Sequence, residues 1–316
     1  MINKNGRQKN RGLLLFIYCG LGTTIALAML AGYLTFQGGS PLSVLYRSFQ
    51  LGLKIQGVDY RTLEGEKYRI PIYENRQPSG TPVVLLHGFG ADAAATWLKI
   101  FPGFKSDFHV IAPQMLYAEY SRILRQNYQL SVETDRLDDL ADTLGIREFH
   151  LVGYSLGGWV AITYTLVHPQ RVKSLILINP VAVKMEIPDF VFTVPSNRKT
   201  AEQFLSRLFH SPPPIPGFLL DIYAENCRKN AGAYLRAVNK LLKSYTSPEP
   251  LLNRIVCPTL VIWAEQDQIL PPTHGQIISS QIPNSSVQLV RNAGHALLWE
   301  NPGPVIDSIL SHLNPF

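Results

Sequence analysis

The stretch Phe149-His150-Leu151-Val152-Gly153-Tyr154-Ser155-Leu156-Gly157-Gly158-Trp159-Val160-Ala161-Ile162 decides how this 316-residue chain is read. An apolar run enters a serine set between two glycines and leaves as a second apolar segment, which predicts a strand, a tight turn and a helix. The glycines permit a strained backbone, and such a turn lifts the serine hydroxyl clear of the sheet. A hydroxyl displayed in this way is placed to act as a nucleophile.

Alone, a G-x-S-x-G pattern arises by chance in roughly one chain in ten of this length, so its neighbours must carry the argument. Upstream, Pro82-Val83-Val84-Leu85-Leu86 predicts a buried parallel strand that runs into His87-Gly88-Phe89-Gly90. Downstream, Thr259 to Trp263 ends in Ala264-Glu265-Gln266-Asp267, and Val287 to Val290 ends in Asn292-Ala293-Gly294-His295. Serine, then acid, then histidine is one of three known chain orders for the same catalytic geometry. The expected roles are Ser155 as nucleophile, His295 as base and then acid, and Asp267 as the group that orients the imidazole, with Glu265 the alternative acid in the same loop. The backbone N–H groups of Phe89 and Leu156 are the expected oxyanion donors. His87 is expected to shape the loop that carries Phe89, and His150, His168, His274 and His312 have no motif around them.

Further strands are predicted at Val58–Arg61, Tyr68–Tyr73, Phe108–Ala112 and Leu175–Ile178, with Glu64-Gly65-Glu66 as a turn. Helical spacing covers Ser131 to Leu144, with Ser131 as cap and Gly145 as terminator, then the segment after Ser155 up to His168, and Pro304 to Leu313. Strands that alternate with helices predict an α/β fold: a mainly parallel, doubly wound, eight-stranded sheet with its active loops at the strand C-termini. Between Val181 and Pro250 the alternation stops, prolines and aromatics accumulate, and no strand signal remains. Residues 181–250 are therefore expected to form a helical cap inserted after the sixth strand, and 58–180 with 251–316 the core. Phe190, Phe192, Phe204, Phe209, Phe218 and Tyr223 line either an acyl pocket or the cap's own small core.

Leu13 to Phe36 hold no charged residue and, at 1.5 Å per residue, are long enough to cross a hydrocarbon core of about 30 Å. The run exceeds the apolar region of an ordinary cleaved signal peptide, although Ala26-Leu27-Ala28 offers a small-x-small site. A transmembrane helix over 13–36 is expected, with 1–12 as a basic tail. Lys4, Arg7, Lys9 and Arg11 precede it, which keeps the N-terminus cytoplasmic and puts the catalytic domain outside the cytoplasm. Residues 37–57 are expected to be juxtamembrane: Leu42, Leu45, Phe49 and Leu53 recur at helical spacing after Pro41, as a stripe against the bilayer or against the domain body.

The formal charge of +6 falls to +2 once the four basic residues of the tail are set aside, so no nucleic-acid partner is implied. No H-E-x-x-H or similar cluster is present, and no metal or cofactor is expected. Cys19, Cys227 and Cys257 have no metal or framework spacing; a Cys227–Cys257 bridge is compatible with an oxidising compartment but not required by it.

With these residues in hand, the chain resembles the α/β-hydrolase superfamily, and within it membrane-anchored monoacylglycerol lipases and related bacterial lipases with one N-terminal helix. The resemblance is closest over Trp263-Ala264-Glu265-Gln266-Asp267-Gln268 and Asn292-Ala293-Gly294-His295, and extends at motif level over Pro82 to Leu313. It implies hydrolysis of a carboxylic ester, a monoacylglycerol or another apolar acyl ester, admitted beneath the cap from the bilayer. Relatives that cleave carbon–halogen or epoxide bonds carry aspartate at the elbow, and Ser155 argues against both. One departure stands out. Where the superfamily usually has D-x-P-G-x-G-x-S, this chain has Ala112-Pro113-Gln114-Met115-Leu116-Tyr117-Ala118-Glu119-Tyr120, which implies a differently shaped loop beside the site. Two other readings stay open from the sequence: a carbon–carbon bond hydrolase with the same triad, and a hydrolase-fold binding protein without catalysis.

Overall fold

The structure, a computed structural model, describes residues 41–314 other than 76, 78, 91, 105–106, 119–122, 126–127 and 185–192. The expected transmembrane segment 13–36 and basic tail 1–12 lie outside the described residues; among the described residues no helix is long and apolar enough to cross a membrane. The helix α1, Pro41–Ile55, covers most of the juxtamembrane segment.

From Leu53 onward the chain is built on one sheet. Its strands are β1 (Val58–Glu64), β2 (Arg69–Asn75), β3 (Thr81–Leu86), β4 (Phe108–Pro113), β5 (Phe149–Tyr154), β6 (Val172–Ile178), β7 (Thr259–Ala264) and β8 (Ser285–Val290). Their order is β1-β2-β4-β3-β5-β6-β7-β8; β2 runs antiparallel to its two neighbours and the other pairings are parallel. The predicted mainly parallel, eight-stranded sheet is thus the observed one. Its central strands are continuous apolar runs because helices cover both faces: Val83 to Leu86 and Thr259 to Ala264 are buried throughout. Each Val, Leu or Ile so buried contributes about 1.5–3 kcal/mol.

The helices after α1 are α2 (Ala93–Trp97), α3 (Val132–Thr143), α4 (Leu156–Val167), α5 (Arg198–Leu208), α6 (Gly217–Ser244), α7 (Thr273–Gln281), α8 (Leu297–Glu300) and α9 (Pro302–Leu313). Helix α4 packs on β5 and β6, and α7 on β7 and β8. Ser131 stands at the N-cap of α3, but its side chain makes no capping bond because its backbone is already helical; its carbonyl instead accepts the Thr134 hydroxyl. Gly145 follows the end of α3 at φ +67°, a conformation that favours glycine. The β1–β2 turn is held from below: the Asp139 carboxylate of α3 accepts the N–H groups of Glu66, Lys67 and Tyr68.

Between β6 and β7 the helices α5 and α6 pack on each other around Ala201, Leu220 and Ala224. Phe204 and Tyr223 meet there at 6.5 Å between ring centroids, so these two aromatics pack in the small core between α5 and α6, while Phe218 is exposed. Phe190 and Phe192 fall outside the described residues. Cys227 and Cys257 are both free thiols, which removes the bridge between them; one sits on α6 and the other in the approach to β7.

Candidate active site

Ser155 joins β5 to α4 at φ +54° and ψ −119°, a strained backbone that turns the chain sharply enough to expose the side chain. The flanking glycines are required by what surrounds them. A Cβ on Gly157 would stand 2.3 Å from the Leu86 carbonyl oxygen, and one on Gly153 would stand 2.5 Å from the Gly157 carbonyl oxygen. The next loop is equally close: a Cβ on Gly88 would lie 3.0 Å from the Ser155 Cβ. This approach sets the loop that carries Phe89 against the serine turn. Leu156 begins α4, so its N–H belongs to the first helical turn, where amides have no partner within the helix.

His295 comes from the loop after β8 and Asp267 from the loop after β7. His295 Nε2 is 3.1 Å from Ser155 Oγ, and His295 Nδ1 is 2.7 Å from Asp267 Oδ2. Both the imidazole and the carboxylate are buried, whereas Ser155 is half-buried and so accessible. The second Asp267 oxygen, Oδ1, accepts the N–H groups of Ile269 and Leu270, which leaves Oδ2 for the ring. With its Nδ1 proton given to the carboxylate, the ring presents the Nε2 lone pair to the serine hydroxyl. The alternative acid, Glu265, is exposed, and its carboxylate accepts from Gln266 Nε2. Gln266 also stitches the two loops: its N–H donates to the Ala293 carbonyl and its Oε1 accepts the Ala293 N–H, each at 3.1 Å.

His87 is buried and takes no part in this chain. Its Nε2 accepts the Met115 N–H at 3.1 Å and its Nδ1 donates to the Gly88 carbonyl at 2.8 Å, so the ring is neutral. Burial lowers its pKa to about 4, with the Arg136 charge acting in the same direction. Through these bonds the loop that carries Phe89 is tied to the loop after β4. That second loop is the one whose usual glycines are missing, and buried polar groups hold it instead. Gln114 Oε1 accepts the Ala93 N–H and its carbonyl accepts from Arg136; Glu133 accepts the Tyr117 N–H and the Tyr128 hydroxyl, and pairs with Arg136 at 2.9 Å. The Tyr117 hydroxyl donates to the His87 carbonyl.

Three residues near the site carried no sequence signal strong enough to single them out. The Tyr154 hydroxyl donates to the His295 carbonyl at 2.8 Å, and burial, with the carboxylates of Asp267 and Glu300, pushes that phenol well up, so it stays a donor. Asn179 Nδ2 donates to the same carbonyl, and Asn179 Oδ1 accepts the Ala264 N–H. Asn179 sits at φ +40°, which an asparagine tolerates better than most residues, and an asparagine closing a strand ahead of a proline was the available clue. Glu300 accepts the Gly294 N–H.

A wide cleft of about 750 Å³ opens elsewhere, at the strand N-termini, among Arg61, Glu74, His109, Arg147 and Lys173. It holds no member of the serine–histidine–aspartate chain, and Glu74 within it is paired with Arg61 and lies 2.9 Å from His109 Nε2. Among the described residues no group of three or more His, Cys, Asp or Glu could hold a metal ion.

Comparison with known proteins places the chain among alpha/beta hydrolases. The model of the alpha/beta hydrolase family matches residues 83–308. Monoacylglycerol lipase ABHD6 of Rattus norvegicus is 26% identical over 322 residues, covering 93% of this chain and 94% of its own. Lipase 1 of Psychrobacter immobilis is 26% identical over 239 residues, covering 72% and 75%. Among solved structures, a bacterial membrane phospholipase A described as a virulence factor superposes with a TM-score of 0.76 at 25% identity, covering 93% of this chain and 96% of that one.

Proposed function

The chain belongs to the alpha/beta hydrolase family, and from that premise we propose that it is a membrane-anchored serine hydrolase that cleaves the carboxylic ester of an apolar acyl substrate. The observation that carries the reading is the unbroken hydrogen-bond chain from Asp267 Oδ2 through His295 to Ser155 Oγ. A serine hydroxyl is a weak nucleophile until a base can take its proton, and this arrangement supplies one.

In the proposed reaction Ser155 Oγ attacks the ester carbonyl as its proton passes to His295 Nε2. The tetrahedral oxyanion is held by the N–H groups of Phe89 and Leu156, a single donor of this kind being worth about 3–4 kcal/mol. The imidazolium, stabilised by Asp267, gives its proton to the departing alcohol and leaves an acyl-enzyme. Water then attacks the acyl carbonyl with His295 again as base, and the carboxylic acid leaves as Ser155 recovers its proton.

The lipid preference is supported by relatives that are themselves named monoacylglycerol lipase, lipase and membrane phospholipase A. It is also supported by the uncharged run Leu13 to Phe36, which would hold the catalytic body at a bilayer surface with the N-terminus cytoplasmic. The test uses the full-length, detergent-solubilised protein. Ser155→Ala should abolish both p-nitrophenyl ester turnover and fluorophosphonate labelling, and full labelling of the variant would refute the reading. A substrate panel should favour a monoacylglycerol or phospholipid acyl ester over a short soluble ester; a preference for a vinylogous diketone would instead assign carbon–carbon bond cleavage.

A further inference from the structure

Glu300 closes α8, five positions after His295, and its two carboxylate oxygens are divided between two segments of the chain. Oε2 accepts the N–H of Gly294, the residue immediately before His295, at 2.7 Å, while Oε1 accepts the N–H of Ser211 at 2.8 Å. Ser211 lies just beyond the end of α5, at the stem of the cap. A second bond crosses the same seam: the N–H of Ala296, immediately after His295, donates to the Leu208 carbonyl at 2.8 Å. The backbone on both sides of the histidine is therefore tied to one short piece of cap, residues 208–211. There is no slack in the seam, since a Cβ on Gly294 would stand 2.7 Å from the His210 nitrogen and 2.8 Å from the Leu208 oxygen.

We propose that Glu300 is a positioning residue that joins the stem of the cap to the His295 loop, so that a displacement of residues 208–211 withdraws His295 from Ser155. The proposal rests on the reading of His295 as general base. Its physical basis is the carboxylate, which can accept two N–H groups at once and does so more strongly than a neutral acceptor. A glutamine offers one accepting oxygen and turns an N–H₂ group toward the other amide, so one of the two ties must break. The cap also reaches the opposite catalytic loop, because the Tyr234 ring of α6 stacks on that of Phe89, with centroids 6.0 Å apart and planes at 30°. The loops that carry the base and one oxyanion donor thus both touch the cap, and Glu300 is the charged link on the histidine side.

The test compares Glu300→Gln and Ser211→Pro with the unaltered full-length protein. Ser211→Pro removes the donor on the cap side, fixing φ at that position, and leaves the side chains of Glu300 and Gly294 as they are. Loss of a hydrogen bond to a charged group predicts a fall in kcat of about tenfold for Glu300→Gln and about threefold for Ser211→Pro, with KM for a short soluble ester within about twofold. Hydrogen exchange should show residues 208–211 and 293–296 losing protection together in both variants, with β5 and β6 unchanged. An unchanged kcat in either variant, or loss of protection confined to one of the two segments, overturns the proposal. If Glu300→Gln lowers protection of the sheet itself, Ser211→Pro decides. Failure of the unaltered protein to label at Ser155 would count against the esterase reading instead, and the exchange experiment would still judge the link.

Discussion

The Tyr154 hydroxyl donates to the His295 carbonyl oxygen at 2.8 Å, so the residue before the nucleophile holds the backbone of the residue proposed as its base. Asn179 donates to the same oxygen from the end of β6 and accepts from Ala264 at the end of β7. Two strand ends thereby meet at one carbonyl, and a third is tied to it through Asn179. Tyr154→Phe keeps the ring that packs 5.4 Å from the imidazole and removes only the hydroxyl. A bond of this kind is worth about 0.5–1.5 kcal/mol, so kcat should fall about two- to tenfold with little change in thermal stability. Steady-state kinetics beside a melting curve would check this, and an undiminished kcat would count against it.

Asp267→Asn should leave the fold intact and still suppress turnover. The carbonyl oxygen of the asparagine is drawn to the Ile269 and Leu270 N–H groups that Oδ1 now accepts, which leaves its N–H₂ facing His295 Nδ1. The ring must then carry its proton on Nε2, where it cannot take one from Ser155. The loss in kcat should be about 10⁴-fold, the cost of the equivalent change in the template serine protease. The circular dichroism spectrum and the urea midpoint should match those of the unaltered protein.

Two glycine substitutions should differ in cost because their constraints differ. Gly157→Ala forces a methyl group against the Leu86 and His87 carbonyl oxygens, at 2.3 and 2.5 Å, both of them backbone atoms that cannot swing aside. A destabilisation of about 3 kcal/mol is expected. Gly90→Ala meets no atom within 4 Å but holds φ at +85°, and should cost only about 1–2 kcal/mol. Urea midpoints for the two variants would establish the order.

Glu133→Ala should be among the most damaging changes far from the nucleophile. It strands the Arg136 guanidinium in the interior and releases the Tyr117 N–H and Tyr128 hydroxyl, with an expected loss of about 3–5 kcal/mol. Glu225→Ala, which breaks an exposed pair with Lys229 one helical turn away, should cost far less, because solvent screens that pair. Equal unfolding midpoints for the two variants would contradict the role assigned to the buried pair.

Acidification should destabilise the fold through His87. Unfolded, this histidine binds a proton as pH falls through 6.5; folded, it resists until about pH 4. Between those values the unfolded chain binds more protons, so the contribution is complete above pH 6.5 and is lost progressively on the way to pH 4, by on the order of 3 kcal/mol. Urea unfolding at pH 7 and pH 4.5 should show the unaltered protein losing more stability than His87→Gln over that interval. Parallel losses would assign the acid sensitivity to other groups.

Which acid faces the histidine illustrates where sequence reading stops. Glu265 and Asp267 share one loop, and the sequence favours Asp267 while leaving Glu265 as the alternative acid. In the folded chain the Glu265 N–H pairs with the Val290 carbonyl while its side chain points to solvent, and the turn that follows Ala264 brings Asp267 back beneath the ring. Likewise, the missing glycines after β4 imply a differently shaped loop, but the buried Glu133–Arg136 pair that holds the loop comes from a helix some twenty residues later. Nothing local in Val132 to Thr143 marks those two charges as interior.

What the sequence determined by itself was the parallel sheet, its helices and the loops that carry Ser155 and His295, because apolar runs, glycine at a strained turn and strand-to-helix alternation are local constraints that each segment obeys alone. What only the tertiary structure decided was the partnership: Tyr154 and Asn179 on the His295 carbonyl, and Glu300 between Gly294 and Ser211. Those bonds join residues from separate loops and strand ends, and a hydrogen bond depends on direction and on distances of about 3 Å that no spacing along the chain encodes.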